Sequence, residues 1–200
     1  MSKVIITQDF TEYSKVFLEE NQKINLISKN EEKYLFEKHI YDSLGIKLFF
    51  EGYGFIPKTL LDIGTGGGFP SIPIAIEYPN INVTGIDSIQ KKINAITNIS
   101  EKLNLSNINF IRERVENIKN KEFDVITSRA VAKIDLLVKY AYPLLKKGGY
   151  LILYKSQLAN EELNEAKATI RKFQLKIKPS IEYSLPLDET YKRCLIILQK

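Results

Sequence analysis

The sequence predicts an α/β protein: a seven-stranded, mostly parallel sheet preceded by a helical extension. Three observations predict it. From Thr59 onward, short apolar runs alternate with amphipathic stretches of helical period, as in a parallel sheet covered on both faces. The first of those runs, at 60–63, passes directly into a glycine cluster at 64–68. The residues before it carry helical periodicity and no strand alternation. The length of 200 residues, 44% of them hydrophobic, suits one domain with a sizeable core. We therefore expect a helical extension over 1–58 and a single globular domain over 59–200.

In the extension, Phe10, Tyr13, Phe17 and Ile24 mark one face of a helix near 9–21, with Thr7 or Asp9 available as caps. A second helix is expected over 30–50, with Tyr34, Tyr41, Leu44 and Leu48 on one side, until Gly52, Gly54 and Pro57 end it. The domain then reads as strand 60–63, helix 71–78, strand 82–87, helix 90–103, strands 108–111 and 123–128, and helix 134–145. Lys146-Lys147-Gly148-Gly149 reads as a helix C-terminus, followed by a strand at 149–154 and a helix at 161–173. Two closing strands, 175–183 and 193–199, form an antiparallel hairpin on one edge.

Composition excludes several classes. The chain carries 29 Lys+Arg against 24 Asp+Glu, a net charge of +5 that permits a nucleic-acid partner without requiring one. The excess is concentrated in 60–155, whereas 1–59 is slightly acidic. A single Cys (Cys194) and a single His exclude an intramolecular disulfide and a multi-Cys metal site, so no metal is expected and a reducing cytoplasm fits. No apolar run approaches the ~20 residues of a membrane span, and MSKVIITQDF has no signal-peptide core.

The chemistry lies in Asp62-Ile63-Gly64-Thr65-Gly66-Gly67-Gly68-Phe69, at the first strand-to-helix turn. Glycines there let the backbone bend sharply and approach a ligand with no Cβ in the way. Ligands of open α/β sheets bind beyond the carboxyl ends of the strands. Asp87 ends the second strand, where a carboxylate can accept both hydroxyls of a ribose, so an adenosine-containing cofactor is indicated. Phe69 stands where the dinucleotide fingerprint needs Gly or Ala, which disfavours a nicotinamide oxidoreductase, and a Walker lysine is absent. The spacing Asp-x-Gly-x-Gly-x-Gly is similar to the loop of class I S-adenosylmethionine methyltransferases, a Rossmann-like fold, and its acid, Asp62, suits a ligand bearing an ammonium group. In such folds Val115 and Glu116, after the third strand, are candidates for apolar contact and edge hydrogen bonding to adenine, while Arg112 and Glu113 read as solvated.

Three further stretches narrow the reading: Thr127-Ser128-Arg129-Ala130-Val131-Ala132 after the fourth strand, Asn21-Gln22-Lys23-Ile24-Asn25-Leu26, and His39-Ile40-Tyr41-Asp42-Ser43-Leu44. With 62–73 and Asp87-Ser88, they resemble the bacterial GidB family, also called RsmG, over about 21–199. The resemblance implies a cytoplasmic enzyme that methylates N7 of one guanine in 16S ribosomal RNA, with S-adenosyl-L-methionine as donor. Carried over to this chain, the cofactor contacts fall on Gly64, Phe69, Val115, Glu116 and Arg129; Gly66 and Gly68 join them from the loop and Asp87 from the ribose argument. Val115 is bulkier than the Ala common in the family, Ser71 stands where Gly is frequent, and Lys155-Ser156 replaces Lys-Gly. The alternatives are a class I methyltransferase of another substrate and a cofactor-binding ribosome-assembly factor.

Guanine N7 carries an in-plane lone pair and no proton, so methylation there needs positioning and no general base. Arg129 is expected to orient the cofactor or hydrogen-bond the guanine edge, its alternative being a salt bridge with a sheet-end acid. His39 and Asp42, three apart, read by themselves as a polar outer stripe; the resemblance sets their segment, like Asn25, over the mouth of the cofactor site or against RNA. RNA contact falls to Lys23, Lys91, Lys92, Lys133 and Lys155. Phe69 or Tyr154 is a stacking candidate, and Phe110 and Phe173 are core candidates. The expected partner is 16S ribosomal RNA or the small subunit, met by a monomer, with no membrane and no metal.

Overall fold

A computed structural model of the chain describes residues 3–156, 159–187 and 191–200. Helix α1 (Thr11–Ile24) begins just after Asp9, whose carboxylate accepts from the Thr11 amide at 2.8 Å and the Thr11 hydroxyl at 2.6 Å. Phe10, Tyr13 and Phe17 are buried as their spacing predicts, and Ile24 is half-buried. Asn25 stops the helix in the left-handed region (φ 47°), which Asn tolerates better than most residues.

The single helix expected over 30–50 is three pieces instead: α2 (Lys29–Glu32), a π-helical segment (Leu35–Tyr41) and α3 (Ile46–Tyr53). A regular helix on a surface keeps one stripe in water. Here every residue from 39 to 47 is buried, polar and apolar alike. The widened π turn shifts the helical phase, a device common at functional sites. It carries His39 and Asp42 inward beside Ile40 and Leu44, leaving them 8% and 1% exposed. The outer polar stripe expected of them is therefore wrong: their partners are arginines from distant strands, which local periodicity does not register.

The sheet is built from β1 (Thr59–Ile63), β2 (Asn82–Asp87), β3 (Ile108–Arg112), β4 (Phe123–Arg129), β5 (Leu145–Ser156), β6 (Lys176–Ser184) and β7 (Lys192–Gln199), in the order β3-β2-β1-β4-β5-β7-β6. The first five strands pair in parallel; β7 inserts antiparallel between β5 and β6, giving the expected closing hairpin on one edge. Helices α4 (Ser71–Glu77), α5 (Gln90–Lys102), α6 (Ile134–Ala141) and α7 (Ala159–Lys172) connect them. Strand order reverses between β1 and β4, which pair with Ile63 opposite Ser128. That switch point opens a crevice beyond the carboxyl ends of the strands.

The Lys146-Lys147-Gly148-Gly149 run does not end a helix. Helix α6 stops at Ala141, a short 3-10 turn with Pro143 follows, and 146–149 lies within β5. The register of β4 against β5 shifts between Phe123 and Val125. Gly149 serves that irregularity, since a Cβ there would fall 2.9 Å from the Asp124 carbonyl oxygen.

Alternate strand residues feed two cores, as the two-residue period requires. Leu60, Val125 and Ile152 face a cluster shared with Phe17 and Phe49 of the extension; Leu61, Ile126 and Leu153 face a second cluster with Leu137, Ala166 and Ile170. Beneath the extension, a buried ion pair joins Lys47 to Glu77. Glu77 also accepts from the Thr7 amide (2.9 Å), the Thr7 hydroxyl (2.6 Å) and the Gln8 amide (3.2 Å), pinning the first residues to α4.

Candidate active site

The glycine loop is shaped by its own backbone. The Thr65 amide donates to the Ile86 carbonyl (2.9 Å), tying the loop to β2, and the Gly68 amide donates to the Thr65 carbonyl (2.8 Å). Gly66 (φ 55°) opens on free space, the nearest atom to a Cβ being 3.8 Å away. Gly68 (φ 87°) is needed for a different reason, since a Cβ there would meet Ile72 at 2.5 Å. Asp87 accepts from the Gly66 amide through Oδ2 (3.1 Å) and from the Ile89 amide through Oδ1 (2.9 Å), fixing the carboxylate at the end of β2.

Gly64, Gly66, Asp87, Val115, Glu116 and Arg129 come together on the wall of one cavity of about 490 Å³ at the switch point. Further polar neighbours on that wall were not singled out for the cofactor by the motifs: Lys92 from α5, Tyr140 from α6, and Glu113, expected to be merely solvated, with Arg114 beside it. No local signal marks Tyr140, a polar-face position of an ordinary amphipathic helix. The Glu116 carboxyl is held below the usual range by its own backbone amide and by the Tyr140 hydroxyl. Gly68 and Phe69 do not line this cavity. Gly68 packs the loop onto α4, and Phe69 faces a second cavity of about 370 Å³. That cavity shares Gly64, Gly66, Arg129 and Ala130 with the first and is completed by Asn25, Glu31 and His39.

Arg129 joins the extension to the sheet. Its Nη1 donates to Asp42 Oδ2 (3.0 Å) and the Lys38 carbonyl (3.2 Å), its Nη2 lies 3.1 Å from His39 Nδ1, and the guanidinium sits 5.2 Å from the Phe69 ring centre. Its acid partner is thus Asp42 of the extension, not an acid at a sheet end. Asp42 also receives Arg193 in two-pronged fashion (2.9 and 2.8 Å) and the Tyr183 hydroxyl (2.7 Å). Burial pushes the Asp42 carboxyl up, but Arg193 and Arg129 outweigh it and hold the group below its ordinary value. Burial and the Arg129 charge push His39 down to about 4, so its imidazole is neutral at physiological pH.

Several expectations change. Tyr154 cannot stack on a base: it is buried, with its hydroxyl donating to the Ser43 carbonyl at 2.6 Å. Lys23, Lys133 and Lys155 are paired with Glu20, Glu165 and Glu162, whereas Lys91 and Lys92 have no ion pair among the described residues. Asp62, expected to meet an ammonium, is fully buried beneath the loop and lines neither cavity. One of its oxygens accepts from the Thr127 hydroxyl (2.9 Å), the other has no hydrogen-bond partner, and burial pushes the carboxyl up to about 7. The stability consequence has a definite sign. Above about pH 4 the unfolded chain ionises this Asp while the folded chain does not, so stability falls as pH rises to about 7. Asp62→Asn removes that decline. Its stability relative to the parent should rise by on the order of 2 kcal/mol between about pH 4.5 and 7.5 in urea titrations. Parallel pH profiles would refute the buried, protonated carboxyl.

The sheet order, the crevice and the glycine loop define a class I methyltransferase. Solved structures agree at the level of fold. A methyltransferase from Pyrococcus furiosus superposes with a TM-score of 0.63 at 21% identity, covering 79% of this chain and 82% of that one. TrmN from Thermus thermophilus gives 0.60 at 17% identity, covering 79% of this chain and 48% of the other. Residues 6–184 match the model of the GidB family, rRNA small subunit methyltransferase G, and the chain belongs to that family. Among its relatives, ribosomal RNA small subunit methyltransferase G of Lysinibacillus sphaericus is 38% identical over all of this chain and 84% of its own length. The protein of the same name from Staphylococcus saprophyticus is 37% identical over 95% of this chain and 80% of its own. Among the described residues, no helix is long and apolar enough to cross a membrane.

Proposed function

We propose that this chain transfers a methyl group from S-adenosylmethionine to N7 of a guanine in 16S ribosomal RNA, acting in the cytoplasm as a single chain. Family membership carries methyl transfer to 16S ribosomal RNA with this donor. Guanine N7 is supported by one observation: His39 and Asp42, the two titratable groups that hold Arg129, are already engaged and are not available as bases. His39 Nδ1 is occupied by Arg129, and both Asp42 oxygens by arginines and Tyr183. An exocyclic amine would have to lose a proton to be methylated; N7 does not. When bound, the cofactor supplies a methyl activated by a sulfonium. The residues of the first cavity fit it: Asp87 keeps lone pairs for ribose hydroxyls, Gly66 leaves room for close approach, and Val115 with Glu116 offers an apolar surface and an edge acceptor.

The test is incubation with methyl-labelled S-adenosylmethionine and small-subunit RNA from a strain lacking its own enzyme, followed by mapping of the label. Label on guanine N7 is expected. Tight cofactor binding with no label on any RNA would favour an assembly factor. Asp87→Ala should weaken cofactor binding by at least ~1 kcal/mol in calorimetry, the low end for lost charge-assisted hydrogen bonds. An unchanged dissociation constant would remove Asp87 from the site.

A further inference from the structure

The second cavity holds a buried donor with nothing to donate to. Arginine has only N–H donors, so the hydrogen between Arg129 Nη2 and His39 Nδ1 belongs to Arg129, and Nδ1 accepts. The neutral imidazole then carries its one proton on Nε2, which is buried and has no hydrogen-bond partner. The nearest acid is Glu31, whose Oε1 is 3.9 Å from Nε2, too far for a hydrogen bond. Glu31 is itself oriented, its other oxygen accepting from the Ser28 hydroxyl at 3.0 Å. Side by side stand a buried donor without a partner and a half-exposed acceptor, so a base reaches the donor by a side-chain adjustment at the cavity mouth. Beneath them is an aromatic surface, with the Phe69 ring centre 4.9 Å from that of His39.

A carboxylate facing an RNA cavity repels phosphate, so it is useful only against a base edge rich in donors. Guanine presents such an edge: the O6 acceptor, then the N1–H and N2–H donors. Adenine presents the reverse at the first two positions, setting an amino group against the imidazole N–H and a bare N1 against the carboxylate. N7 lies on the other side of O6 from N1, which directs it away from Glu31, and this cavity shares Gly64, Gly66, Arg129 and Ala130 with the first. A volume of about 370 Å³ is near the lower end for small-molecule sites, consistent with one flipped base rather than a stretch of chain.

We infer that this cavity selects the target guanine, with His39 Nε2–H donating to O6, Glu31 accepting from N1–H and N2–H, and Arg129 as the positioning residue that fixes the imidazole. The inference rests on the guanine-N7 reading and deepens it. It is tested with 16S RNA ligated to carry either guanine or inosine, which lacks only the N2 amine, at the modified position. The parent enzyme should lose about tenfold in kcat/KM on inosine, the scale of one lost hydrogen bond to a charged group. In Glu31→Ala, slower on guanine, that discrimination should vanish while the cofactor dissociation constant stays within about twofold. His39→Gln, which keeps a donor near the Nε2 position, should retain far more activity on guanine than His39→Leu. If guanine N7 is methylated but Glu31→Ala still discriminates against inosine, the base-reading role falls and the N7 reading stands. If Glu31→Ala weakens cofactor binding instead, the cavity belongs to the cofactor and the inference is overturned. Label that never reaches a guanine N7 overturns both.

Discussion

Asp42→Asn should destabilise the folded chain by about 3–5 kcal/mol, the cost of leaving buried charges without their partner. Asp42 is 1% exposed and is the only carboxylate within ion-pair distance of both Arg129 and Arg193 among the described residues. An amide of the same shape leaves two guanidinium groups facing each other without compensation. Denaturant titration at neutral pH reads the loss directly, and a change below about 1 kcal/mol, the scale of an exposed pair, would refute the hub. The acid side provides an independent check. A carboxyl held below its unfolded value contributes stability that is present above that value, near pH 4, and is lost as pH falls through the folded value. That acid-linked loss should be smaller in Asp42→Asn than in the parent.

Lys47→Met should cost a similar about 3–5 kcal/mol, because Glu77 would remain buried with only the Thr7 and Gln8 donors. The double variant Lys47→Met with Glu77→Leu should recover much of that loss, since removing both charges removes the uncompensated one. A double-mutant cycle in urea measures the coupling, and simple additivity would show that the pair does not act as a unit. Hydrogen exchange of residues 4–10 should rise in either single variant, as the anchor of Thr7 and Gln8 on α4 is loosened.

The fold was legible wherever its cause is local. Alternating apolar strands and amphipathic helices fixed the order of the domain elements, and Leu175 to Gln199 read correctly as a closing hairpin. Gly64, Gly66, Asp87, Val115 and Glu116 could be brought together because each lies at or just beyond a strand end, where topology sets its position, whereas Gly68 and Phe69 fall outside that cavity. What remained hidden was set by partners far along the chain. Nothing near Asp42 announces Arg193, 151 residues away, and without that partner an inward carboxylate looks wrong on any helical wheel. Lys146-Lys147-Gly148-Gly149 failed for another reason: cations followed by glycines suit a helix end and an irregular strand equally well, and only pairing with Phe123 to Val125 decides. Tyr154 was misread because strand residues alternate between faces, and its face is covered by Ser43 of the extension.

The hub at Asp42 also draws its partners from early and late in the chain. All walls of the first cavity have been synthesised once residue 140 is made. Arg193 arrives with β7, which must slide between β5 and β6, a pairing of distant segments that closes slowly. Until then Asp42 has only one of its two guanidinium partners, and Arg129 is held less firmly against His39. The residues that line the first cavity, all made by residue 140, therefore precede in the chain the arginine that completes the grip on Asp42. The closing strand is thereby tied, through Arg193, to the helices with which the chain begins.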